Sequence, residues 1–204
     1  MKNYIFIGVL LGHFFMILSG VSYSFSWILN YGGFDSNYSP LAGLLISASL
    51  LTGIIGIILL SNCIFTLYNS VATGTFIKPG LILLSGMIFF FIALIVTTVA
   101  FKRFLTSELI LISIWTTLET IVILVLYKSR WLSKLQSVLS FILVIISALI
   151  GLFCYTIHYG LSGYIQFVNG LIPYFVISIF NIIIILLLLL KRLTGNENSV
   201  SKGS

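Results

Sequence analysis

Nine consecutive residues, Ile182 to Leu190, are isoleucine or leucine, and no polar residue interrupts them. An apolar run of that kind leaves few places for a chain to go. Burying it on all sides takes either the centre of a large protein or a bilayer. A chain of 204 residues with 60% hydrophobic and only 7% charged residues is not large enough for the first. A soluble domain carries about 25% charged residues. The composition therefore excludes an ordinary soluble enzyme, a nucleic-acid-binding domain, a disordered tail and a disulfide-stapled scaffold.

A membrane barrel would alternate apolar and polar residues in segments of about 10. The Ile182–Leu190 run does not alternate, so the expected class is all-α, a polytopic helical bundle in the lipid bilayer. A helical span needs about 20 apolar residues to cross roughly 30 Å of hydrocarbon. Six segments qualify: Tyr4–Ile28, Leu41–Thr66, Pro79–Phe101, Ser107–Tyr127, Leu135–Ile157 and Leu171–Leu190. The first run is too long for the apolar core of a signal peptide and is read as a helix. Pro40, Pro79 and Pro173 are each expected in the first turn of a span, where a missing N–H costs little. Ser39 is the natural N-cap before Pro40. Gly32, Gly33, Gly160, Gly163 and Gly170 are read as loop positions. Residues 194–204 are Asn/Ser/Gly-rich and are expected to form a disordered cytoplasmic tail after a single transmembrane domain, residues 1–193.

Lys and Arg set the orientation. With the N-terminus inside, the inner side holds Lys2, Lys78, Lys128, Arg130, Lys134, Lys191, Arg192 and Lys202, and the outer side only Lys102 and Arg103. Cytoplasmic loops carry the excess of basic residues. The expectation is six spans with both termini cytoplasmic, in the cell membrane. The net charge of +6 is thus a topology signal, and no nucleic-acid partner is expected.

The chemistry-bearing residues are few. Glu119 lies near the middle of span four, where an ionisable group costs about 3 kcal/mol and is a functional candidate by default. Glu108 falls eleven residues earlier, within about 20° of the same helix face. His13 lies about 4 Å inside the centre of span one, and Glu119 is similarly deep. Ser147 and Asn181 are near the centres of spans five and six. A His13–Glu119 pair with Asn181 and Ser147 around it would make an intramembrane polar site suited to a proton or a small polar ligand. The plain alternative is that these groups only hold helices together.

Other constellations fail on inspection. His13 and His158 differ in depth by roughly 20 Å, too far to share a haem. One His and one Glu make a poor metal site, and Cys63 and Cys154 fall in opposite leaflets. No cofactor or metal is expected. Gly160-Leu161-Ser162-Gly163 resembles the GxSG of rhomboid proteases, which also need a histidine on a later helix. None follows His158, so no catalytic residue is assigned and the chain is read as leaning away from an enzyme.

Two further patterns concern contacts. Small residues recur four apart at Gly8/Gly12, Gly43/Ser47, Ser49/Gly53, Thr52/Gly56 and Ser147/Gly151, spacing that lets helices approach closely. The outer side is rich in aromatics: Trp27, Tyr31 and Tyr38 around loop one, and Tyr155, Tyr159, Tyr164 and Tyr174 around loop five. They suit an interfacial belt, a pocket for an uncharged or amphipathic small ligand, or an interface. The leading functional expectation is a non-catalytic subunit or assembly component of a larger membrane complex, with membrane-protein partners. The alternative is a small-molecule or proton-coupled transport or substrate-binding component using Glu119. In architecture alone, six short-looped spans with both ends inside resemble the substrate-binding subunits of energy-coupling-factor transporters.

Overall fold

The computed structural model describes residues 3–31, 40–71, 107–158 and 160–200. All five described elements are helices: α1 (Asn3–Tyr31), α2 (Pro40–Val71), α3 (Ser107–Lys128), α4 (Lys134–His158) and α5 (Gly163–Val200). Four of them hold stretches long and apolar enough to cross a membrane: Asn3–Leu29, Pro40–Asn69, Lys134–His158 and Gly163–Leu193. The helical membrane-protein class therefore stands. The expected span Pro79–Phe101 lies outside the described residues, as do Ser39, Gly32 and Gly33.

Two expectations at the start of the last helix are corrected. α5 begins at Gly163 rather than Leu171, so Gly170 is helical and Pro173 sits inside the helix. Proline there removes the N–H that would bond the carbonyl of Asn169. Membrane helices tolerate this when neighbouring groups compensate, and the segment before the proline is tied to two other helices, as shown below. At its far end α5 continues to Val200, through residues expected to begin a disordered tail at Thr194. The helix has a run of strong helix formers behind it, and extending it adds a hydrogen bond per residue without a new nucleus. Pro40, by contrast, opens α2 as expected.

Each described helix packs on two neighbours, α1–α2, α2–α3, α3–α4, α4–α5 and α5–α1, so the five close into a ring. α1 and α3 face each other across it. The directions follow from contacts. Gly12 meets Leu60, and Gly53 meets Ser19, so α1 and α2 are antiparallel. Phe6 packs on Trp131 with ring centroids 5.8 Å apart, and Arg192 stands 4.7 Å over Phe6. One end of the ring therefore gathers the start of α1, the α3–α4 turn and the late part of α5. Here lie Lys128, Arg130, Lys134, Lys191 and Arg192, and we call it the basic end. At the opposite, aromatic end Trp27 Nε1 donates to the Phe167 carbonyl at 3.1 Å, and Asn169 Nδ2 donates to the Cys154 carbonyl at 2.8 Å.

Small residues set the tightest contact, α1 on α2. Gly8 faces the Cys63 sulfur, Gly56 faces the Gly12 carbonyl and Met16, and Ser19 and Ser49 exchange hydrogen bonds to each other's carbonyls at 2.8 Å. Without bulky side chains the backbones approach closely, which is how helices associate where lipid offers no hydrophobic drive. Gly151 packs on Ile112 and joins α4 to α3. Ser47 does not join these seams: it is exposed and its hydroxyl bonds the Gly43 carbonyl of its own helix. The apolar core runs along the ring's interior, from Ile5, Phe6 and Val9 through Val122, Ile123, Phe180 and Ile184.

A candidate site at the centre of the helix ring

His13 on α1 and Glu119 on α3 meet across the ring. The imidazole Nε2 is 3.8 Å from the carboxylate Oε2, and both side chains are fully buried. Their helices are not adjacent, so this contact spans the interior. α1 brings His13 in because Gly12 beside it and Val9 one turn away press on the core. α3 brings Glu119 in on the face that carries Trp115, Val122 and Leu126, all buried.

The layer around the pair is polar, and many of its atoms lack partners among the described residues. Both nitrogens of His13, both carboxylate oxygens of Glu119, Trp115 Nε1, Ser140 Oγ and Asn181 Oδ1 are buried and make no hydrogen bond among the described residues. Buried polar atoms normally find partners, and each exception calls for an explanation. Trp115 lies one turn before Glu119, and its ring meets Phe180 edge-on at 5.2 Å. That contact places Asn181 level with the turn before Glu119. Asn181 Nδ2 donates to Ile177 of its own helix at 2.8 Å, which leaves its Oδ1 as the free acceptor. Counting from the Ile112–Gly151 contact, Glu119 is level with Val144, and Ser140 and Ser147 lie about one turn to either side.

At 3.8 Å the pair is too long for a hydrogen bond, and a closure of about 1 Å would make one. One proton shared between imidazole and carboxyl leaves the pair neutral wherever it resides. A second proton, or none, leaves a net charge in an apolar interior, which is costly. Burial therefore favours one proton on the pair as a whole.

His13, Glu119, Asn181 and Ser147, the intramembrane polar residues expected from the sequence, are all buried in this part of the ring. Ser140 and the indole N–H of Trp115 join them without having been expected. Ser140 was legible: Ser137, Ser140, Ser147 and Gly151 share one face of α4 at spacings of three, seven and four. The side chain of Glu108 lies outside the described residues.

Three aromatic residues of the other end, Trp27, Tyr155 and Tyr174, are used in packing. Trp27 bonds α5, faces the His158 ring at 5.7 Å and covers Gly170. Tyr174 stacks on Tyr23 at 4.1 Å, Tyr155 is buried, and Tyr164 is exposed. Asn169 also approaches His158 Nδ1 at 3.2 Å. Tyr38, Tyr159 and the side chain of Tyr31 lie outside the described residues. Gly170 was expected in a loop. Its place in α5 has a steric reason, since a Cβ there would stand 2.5 Å from the Trp27 ring. Cys63 and Cys154 are both free thiols, and no cluster of metal-ligating side chains occurs among the described residues.

No family model, no curated protein and no solved structure matches this chain.

Proposed function

We propose that the chain is a six-span membrane protein that carries a proton at the His13–Glu119 pair, as a small proton-coupled transport component. The observation behind this is the pair itself: two ionisable side chains, fully buried and 3.8 Å apart, from helices on opposite sides of the ring. An acid at that depth is costly in a bilayer and is retained where it has work to do. The unsatisfied atoms of Trp115, Ser140 and Asn181 are the groups a small polar substrate would use.

Direction of the helices supports the sixth span. α2 runs toward the basic end and α3 starts from the aromatic end, so residues 72–106 have to join opposite ends of the ring. We propose that Pro79–Phe101 makes that crossing. The basic end would then face the cytoplasm of a cell whose plasma membrane holds the protein, with both termini inside.

The test is flux. Wild-type protein in sealed vesicles is expected to dissipate an imposed pH gradient, alone or when small polar solutes are supplied on the opposite side. Glu119→Gln, which keeps shape and removes the acid, is expected to slow this at least tenfold while size-exclusion and helical content stay unchanged. Equal rates for the two proteins under every condition would overturn the reading. A second reading, the non-catalytic subunit, is favoured by α2, whose Leu44, Leu50, Leu51, Ile54 and Ile58 are exposed in the ring. Stoichiometric partner chains in protein purified from native membrane would support it.

A further inference from the structure

The basic end carries a feature the proton pair does not use. α3 terminates in a Schellman arrangement: Trp131 N donates to the Leu126 carbonyl at 2.9 Å, and Arg130 N to that of Tyr127 at 3.0 Å. The residue at the left-handed position of this cap is normally glycine. Here it is Arg130, with φ of 61°. A side chain at such a position strains the backbone, and strain of this kind is kept where the side chain is needed. The next residue, Trp131, is buried against Phe6, and Phe6 carries the Arg192 guanidinium on its other contact. Arg192 thus lies over one member of this aromatic pair, and Arg130 immediately precedes the other in the chain. Lys134 opens α4 beside them, and Arg130, Lys134 and Arg192 are all exposed. Among the described side chains at this end there is no Asp or Glu.

We infer that this corner binds the phosphodiester headgroup of an anionic phospholipid. Guanidinium groups grip phosphate in a bidentate fork that ammonium groups cannot reproduce. Stacking on Phe6 restricts Arg192 before any ligand arrives, so less freedom is lost on binding. The neighbourhood matches a lipid rather than a soluble anion. Leu135, Val138 and Leu193, 69%, 49% and 64% exposed, stand beside the cations and offer the acyl chains an apolar surface. Clusters of Lys and Arg at the ends of membrane helices attract anionic lipids, and the assignment rests on the membrane orientation proposed above.

The experiment compares purified protein titrated with phosphatidylglycerol and with phosphatidylcholine, reading bound lipid by native mass spectrometry. Wild type is expected to retain phosphatidylglycerol preferentially. Arg130→Gly is the decisive variant, because glycine suits the left-handed position and the turn survives while the guanidinium is gone. It is expected to lower the preference about fivefold, the equivalent of about 1 kcal/mol. Arg192→Gln should do the same, and Arg192→Lys should lose less. Millimolar inorganic phosphate should not displace the lipid. Equal retention of the two lipids by wild type, unchanged preference in Arg130→Gly, or displacement by inorganic phosphate would each overturn the assignment.

Discussion

Among single residues, the His13–Glu119 pair poses the sharpest question, because a buried ion pair is a weak source of stability. Exchanging such a pair for apolar residues of similar volume is often neutral or stabilising. The double variant His13→Leu/Glu119→Leu is therefore expected to melt in detergent no lower than wild type, and above the single variant Glu119→Leu, which leaves the imidazole unpaired. A double variant that melts far lower would make the pair structural. Gly170 is a different case. Its contact with the Trp27 ring leaves no room for a side chain, so Gly170→Val is expected to cost about 1–3 kcal/mol by overpacking. Trp27→Phe keeps an aromatic ring but loses the indole N–H that bonds the Phe167 carbonyl, a loss of about 1 kcal/mol for that bond. Thermal denaturation in one detergent would rank these two, with Gly170→Val the lower.

At the scale of elements, the α3–α4 hairpin shows how local chemistry sets a sharp reversal. The Schellman cap ends α3, and Ser133 and Gln136 open α4 with a reciprocal box. Ser133 Oγ accepts from Gln136 N at 3.2 Å, and Gln136 Oε1 accepts from Ser133 N at 2.8 Å. The Ser-x-x-Gln spacing is a signature a reader of the sequence could have used. Ser133→Ala is expected to cost about 1 kcal/mol, and Arg130→Gly to return about 1 kcal/mol by relieving the left-handed strain. Opposite shifts in melting temperature would check both. In α5, Pro173 leaves the Asn169 carbonyl without its helical donor, while the Asn169 side chain ties α5 to α4. The helix can begin eight residues before Leu171 because Trp27 and Cys154 hold that segment in place.

For the whole molecule, the ring predicts sidedness. In a cysteine-free background, Lys134→Cys and Ser162→Cys lie at opposite ends of α4 and its turn. A membrane-impermeant maleimide applied to intact cells is expected to label Ser162→Cys alone, with Lys134→Cys reacting only after permeabilisation. The reverse pattern would invert the proposed orientation, and labelling of both from one side would break the bundle.

Apolar length and the absence of alternation were enough for class: five described helices stand where runs of about 20 apolar residues predicted them, with ends differing by a few residues except at α5. Depth was legible too, because a helix rises a constant 1.5 Å per residue, and this placed His13 and Glu119 at similar levels. What the sequence could not carry was azimuth and adjacency. Helices with apolar residues all round give no direction from their own pattern. Only tertiary contacts close the ring: Gly8, Gly12, Gly53 and Gly56 in the α1–α2 seam, Gly151 on α3, and Trp27 and Asn169 between α5 and its two neighbours. That closure turns His13 and Glu119 toward one another and packs Trp27, Tyr155 and Tyr174 at the aromatic end. Pro173 and Gly170 misled for the same reason: their local preference is for a break, and contacts from Trp27 and α4 outweigh it.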